Sequence, residues 1–287
     1  MIGHMRDVRA PEHFQGRGAS AFSKLRAFLK RDVLNAASYK LAFLYSFFGV
    51  FLSSATFFFI AKLVSPSTAS LEPYGGDYFS FVIVGVAFSG LLGIFQDDLP
   101  GIIRQAQVSG TLEALLITPT SLPIILFGSS LYSFFFTTVR TVFHLGLGIL
   151  AFGMKLGHIN WPGAVCVFFL TAACFLSIGI LSASFTLVYK MGNPLSWVYG
   201  SVSGLMGGVV FPVSVLPPGI RWMSDLLPIK HSLEGMRVSL LSSAGFSQVL
   251  PSIAALSAFS AFLIPLSLWI FRLALRKAKK DGTLTHY

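Results

Sequence analysis

The stretch F211-PVSVLPPGIRWMSDLLPIKHSLEGM-R237 decides how the chain is arranged. It follows one long apolar run and precedes another. Leu216, Ile220, Trp222, Met223, Leu226, Leu227, Ile229, Leu233 and Met236 make it too apolar for a solvated loop. Pro212, Pro217, Pro218, Gly219 and Pro228 interrupt it too often for one continuous crossing helix, because proline removes a backbone donor and clashes with the preceding turn. Irregular backbone at membrane depth is tolerated only where protein or water satisfies its polar groups. Two short helices forming a re-entrant hairpin meet both conditions. Within it, Glu234 lies at helical spacing from Lys230 and Arg237, so an ion pair that holds the hairpin is expected.

The rest of the chain agrees with a membrane setting. Of 287 residues, 54% are hydrophobic and 11% charged, against about 25% charged in soluble domains. About 20 apolar residues cross the hydrocarbon. Six segments qualify: 41–61, 78–96, 122–152, 161–189, 195–211 and 249–275. The net charge of +10 suggests a nucleic-acid binder until the cations are placed. With the N-terminus inside, fifteen Lys and Arg fall on the inner side, five on the outer side, and Arg140 within a span. That asymmetry puts both termini in the cytoplasm, with anionic lipid headgroups rather than nucleic acid as the neighbours of the charge. The first apolar run begins behind about forty residues rich in Lys and Arg, unlike a cleavable leader.

Residues 1–20 are expected to be a disordered cytoplasmic tail, and 276–287 a basic one. In "AFSKLRAFLKRDVL", Phe22, Leu25, Phe28, Leu29 and Val33 recur at helical spacing, which predicts an amphipathic helix lying in the inner interface. Between spans two and three, Asp97 or Asp98 precedes a helix carrying Pro100 in its first turn. Gly110 then breaks that helix. Thr111 caps a second one with Glu113 near its positive end, and Leu112, Leu115 and Leu116 form one apolar face before Pro119 stops it. A short pinned helix at the cytoplasmic surface suits docking into a groove on a partner.

The segment "QAQVSGTLEALLITPTSLP", Gln105–Pro123, resembles the signature of ABC-2-type transporter permeases, and "FP…LP…LP…E…R" from Phe211 to Arg237 resembles their second hallmark. The resemblance covers about residues 20–275, and 21–275 would form one transmembrane domain. It implies an all-α integral membrane protein with six transmembrane helices, an N-terminal interfacial helix, a cytoplasmic coupling helix between spans two and three, and an outer re-entrant hairpin before span six. Gln105, Gly110, Thr111, Leu112, Glu113, Leu115, Leu116 and Pro119 would dock an ATPase subunit. Phe211, Pro212, Leu216, Pro217, Pro228, Glu234 and Arg237 would build the hairpin. Gly200, Gly204 and Gly208 form a small-xxx-small face on span five, and the family places such a face at a homodimer axis. The implied partners are two ATPase subunits holding ATP and Mg, a second copy of the chain, and the inner membrane of a prokaryote. The implied activity is export of an amphipathic substrate: a drug, a lipid or a lipid-linked glycan.

Arg140 and His144 sit one turn apart inside span three, where a charge is costly and marks a candidate translocation path. A membrane-embedded lipid- or glycan-modifying enzyme using this pair, or an ATP-independent carrier or channel, are the rival readings. The chain has no GxxxxGK[ST] phosphate loop, no HExxH, and no nucleophile paired with a base, so no catalytic residue, metal site or cofactor of its own is assigned. Cys166 and Cys174 lie eight residues apart on one predicted helix, roughly 12 Å, beyond disulfide reach.

Overall fold

The computed structural model describes residues 21–37, 40–64, 69–93, 97–111, 122–189, 194–242 and 245–281. Among them are ten α-helices, two short 3₁₀ turns and no strand. The helices are α1 (Ala21–Ala37), α2 (Lys40–Leu63), α3 (Tyr78–Gly93), α4 (Leu99–Val108), α5 (Leu122–Phe152) and α6 (Trp161–Tyr189). They continue with α7 (Pro194–Met206), α8 (Pro218–Asp225), α9 (Pro228–Leu240) and α10 (Phe246–Lys280).

Four helices are long and apolar enough to cross a membrane, over Leu44–Leu63, Ile124–Phe152, Trp161–Tyr189 and Phe246–Lys280. The apolar helix α3 has 16 residues, and the last three residues of the span expected over 78–96 lie outside the described set. The largest departure is at the span expected over 195–211. Helix α7 has 13 residues and ends at Met206. Beyond it, Gly208 takes φ 74°, a left-handed conformation that only glycine adopts without strain, and the chain turns out of helix.

The core forms where α6, α9 and α10 meet. Val167, Cys174 and Phe175 of α6, Ile229, Leu233 and Met236 of α9, and Val249 and Leu256 of α10 are buried together, with Ile83, Val84 and Leu91 of α3. Glycine lets α9 approach: a methyl group at Gly235 would lie 2.9 Å from both Val167 and Ser252. Thr171 Oγ1 donates to Ser232 Oγ at 2.8 Å, joining α6 to α9 in an apolar setting. Cys166 is exposed and Cys174 buried, both free, and Cys174 Sγ lies 3.1 Å from Ser260 Oγ.

At the C-terminal end of α6, α4 packs on α6 and α10 through Leu99, Ile103, Ala106, Leu187 and Phe271. Gln107 Nε2 donates to the Leu187 carbonyl at 3.3 Å. The capping role expected for Asp98 is not what the structure shows. Asp98 has helical backbone angles and makes no cap hydrogen bond, and its carboxylate accepts from the Ser133 hydroxyl of α5 instead. Gly110 ends this stretch with φ 68°. Helix α1 lies against α5, with Leu25 and Phe28 over Gly128. Phe22 on the same helix is 76% exposed, so only part of its apolar face is covered.

Candidate functional site

The segment that opened the sequence reading folds as two consecutive short helices, α8 and α9, turned at Leu226–Leu227. Proline occupies the first helical position of both, Pro218 and Pro228, where its missing N–H costs nothing. The two helices differ in burial. Ile220, Trp222, Met223 and Leu226 of the first helix and its turn are exposed, while Ile229, Leu233 and Met236 of α9 are core. Arg221 Nη2 donates to the carbonyls of Ser214 (2.6 Å) and Leu216 (3.1 Å), closing the loop before α8.

The ion pair expected of Glu234 does not form. Lys230 pairs with Asp225 instead, and Arg237 has other partners. Arg237 is 3% exposed. Its Nε donates to Phe81 O at 3.1 Å, Nη1 to Gly208 O at 2.7 Å and Nη2 to Val209 O at 2.8 Å. Its guanidinium carbon stands 3.5 Å from the centroid of the Phe81 ring. One side chain thus ties the hairpin to α3 and to the broken end of α7. The carbonyls freed where α7 stops are the ones it satisfies. Gly85 makes room, since a β-carbon there would collide with Val209 O and Arg237 Nη2. Gly208 therefore stands beyond the helical face on which it was expected with Gly200 and Gly204. A polar cavity of about 240 Å³ lies beside this lock, lined by Tyr74, Pro212, Arg221, Lys230, Glu234 and Arg237 among others. Burial and the Glu234 carboxylate push the Tyr74 phenol pKa up.

A second polar feature lies among the spans. Arg140, Thr141 and His144 of α5 face Tyr45, Ser46, Gly49, Val50 and Ser53 of α2 and Val86 and Ala87 of α3, around a cleft of about 330 Å³. Thr141 Oγ1 donates to Ala87 O at 3.1 Å, fixing α5 against α3. Gly90 admits the Arg140 guanidinium, whose Nη2 would stand 2.8 Å from a β-carbon there. His144 is 5% exposed and its Nε2 has no hydrogen-bond partner. Sequence reading singled out Arg140 and His144 but not Tyr45, Ser53, Thr141, Gly85 or Gly90. The glycines of α3 were the available signal, because an apolar helix that carries Gly85 and Gly90 invites close approach.

Gln105, Gly110 and Thr111 are exposed at the end of the α4 segment, where Ser109 Oγ lies 2.9 Å from Thr111 Oγ1. Leu112, Glu113, Leu115, Leu116 and Pro119 lie outside the described residues, as do 1–20 and 282–287. On α7, Gly204 is open: a β-carbon there would meet nothing within 4 Å, and Trp197, Val198 and Leu205 around it are exposed.

Four membrane-length helices, with a short helical pair closed onto them by a buried arginine, define a multi-pass membrane protein. The chain belongs to the ABC-2 family of transporter proteins, which it matches over residues 68–269. It is similar to Nodulation protein J of Sinorhizobium fredii, 25% identical over 202 residues that cover 69% of this chain and 75% of that protein. Nodulation protein J of Bradyrhizobium diazoefficiens is 24% identical over the same shares. That of Rhizobium meliloti is 24% identical over 173 residues, 59% of this chain and 64% of the relative.

Proposed function

We propose that this chain is the membrane-spanning subunit of an ATP-driven exporter, carrying an amphipathic substrate out across the cytoplasmic membrane. The match to the ABC-2 transporters over residues 68–269 carries this reading. ABC-2 permeases normally work with an ABC ATPase subunit, and no phosphate loop occurs in this sequence, so ATP and Mg would be held by a separate subunit. Two ATPase subunits would sit beneath two copies of this chain. The segment from Gln105 to Pro119 would be the coupling helix, with Glu113 and the face of Leu112, Leu115 and Leu116 seated in a groove of the ATPase. Both termini would be cytoplasmic. The pair α8–α9, with Phe211, Pro212, Leu216, Pro217, Pro228 and Glu234, would be a re-entrant hairpin at the outer side.

In this scheme ATP binding closes the ATPase pair and pushes the coupling helices. The force passes into α5, which begins at Leu122 close behind Pro119, and the interface between the two copies opens. The exposed side of α7 around Gly204 would be part of that interface, and the Arg140–His144 cleft part of the route.

The test is purification of the chain from its own membranes in mild detergent, with mass spectrometry of what accompanies it. A near-stoichiometric protein with a phosphate-binding loop, lost from the Glu113→Arg variant while that variant stays monodisperse, is the expected result. A chain that comes alone and moves amphiphiles in liposomes without ATP would overturn the reading.

A further inference from the structure

Arg140 is far inside α5. At about 1.5 Å per residue it lies roughly 27 Å from Leu122 and 18 Å from Phe152, well within a hydrocarbon layer about 30 Å thick. A cation at this depth is ordinarily matched by a carboxylate or by carbonyls. Among the described residues no ion pair involves Arg140. The carboxylate whose field reaches it, Asp98, is engaged by Ser133, two turns back along α5. Beside Arg140, His144 is 5% exposed and its Nε2 has no hydrogen-bond partner, against the rule that buried polar atoms are paired. Both side chains line the same cleft of about 330 Å³, together with Tyr45, Ser53 and Thr141.

We propose that this cleft is a binding site for the phosphate head of an amphiphile. A guanidinium presents paired donors that match two oxygens of a phosphate, and the charge-assisted bonds are about twice as strong as neutral ones. The His144 ring is a second polar group lining the same cleft. The rim explains why the ligand is an amphiphile rather than a free ion. The helices that form the cleft also carry exposed apolar side chains, Leu44, Phe48 and Leu52 on α2 and Val139 and Phe143 on α5, so an occupant that brings its charge to Arg140 has apolar surface on the same helices for its chain. The source of the phosphate is either the transported molecule or a resident anionic phospholipid. The first deepens the exporter reading and rests on it. The second stands without it.

The test uses the full chain in phosphatidylcholine nanodiscs doped with phosphatidic acid, with retained lipid counted by native mass spectrometry. The wild type is expected to hold one phosphatidic acid per chain, and Arg140→Gln to bind it about tenfold or more weakly, with Arg140→Lys in between. Gly49→Leu decides the matter if Arg140→Gln fails to fold. A β-carbon at Gly49 meets nothing within 4 Å, so the variant fills the cleft and leaves the core alone. It too should lose the lipid. Retention equal to wild type in well-folded Arg140→Gln and Gly49→Leu overturns the proposal. Displacement of the lipid by inorganic phosphate alone overturns the amphiphile. Stimulation of ATP hydrolysis in the assembled complex by phosphatidic acid identifies the cargo as the source, and retention without stimulation identifies a resident lipid. If lipid is retained but no ATPase subunit accompanies the chain, the site stands and the exporter reading falls.

Discussion

Replacing Arg237 by Met tests the most specific contact in the fold. Methionine keeps the apolar stem of the side chain and removes the donors. Three charge-assisted hydrogen bonds are lost, to Phe81 O, Gly208 O and Val209 O. Gly208 and Val209 lie beyond the end of α7, so no helix ladder takes over their carbonyls. Leaving two such acceptors buried costs about 1–3 kcal/mol each. Against this stands the desolvation of the guanidinium, which the variant no longer bears. A net loss of about 3 kcal/mol corresponds to a melting temperature lower by roughly 6–12 °C at about 2–4 °C per kcal/mol for a chain of this size. The assay is thermal unfolding of the detergent-purified protein at one fixed scan rate, since membrane proteins unfold irreversibly and the rate must be matched. Arg237→Lys, with one ammonium for three carbonyls spread across two segments, should fall between the two. A melting temperature for Arg237→Met within about 2 °C of wild type would refute the reasoning.

Gly85→Ala should destabilise by about 1–3 kcal/mol, because the new methyl group collides with Val209 O and Arg237 Nη2, whereas Gly93→Ala, at an open site, should be neutral or stabilising; equal melting temperatures for the two would count against the lock. Trp197→Glu puts a charge on the exposed side of α7, where Trp197 is 74% exposed. If that side meets a second copy, light scattering in detergent should show a shift from dimer to monomer with the melting temperature unchanged, and a persistent dimer would exclude α7 from the interface.

The two short helices were legible because proline writes its positions directly into sequence. Pro218 and Pro228 start the two helices, and the apolar residues between them ruled out an ordinary loop. The cation content of span three was legible for a similar reason, since Arg140 and His144 stand out against an apolar run. What sequence concealed was every partner made of backbone. Arg237 was expected to pair with Glu234 three residues before it, yet it binds carbonyls 28, 29 and 156 residues away, and a carbonyl has no letter in a sequence. The same blindness lengthened the fifth apolar helix. Residues 207–211 are apolar enough to continue α7, and only the φ of Gly208 and the demand of Arg237 for its carbonyl end the helix earlier. The Ser46 and Ser53 side of the cleft was invisible because small polar residues in apolar helices usually bond to their own backbone, as Ser54 does to Val50 O at 3.0 Å.

The two arginines set among the apolar helices, Arg237 buried and Arg140 half-buried, show how such a residue can be sorted into structure or site. Both lie against α3, Arg237 at Phe81 and Gly85, Arg140 at Gly90, and in both cases a glycine makes the space. Arg237 has its fork filled by protein: three carbonyls and an aromatic face leave nothing for a ligand to add. Arg140 has an open cleft before it, an unsatisfied imidazole beside it and no ion-pair partner among the described residues. A charge in an apolar setting is costly, and the cost must be met. Where protein atoms meet it, the arginine belongs to the architecture. Where they do not, the missing partner is a ligand, and the protein is complete only when the ligand is present.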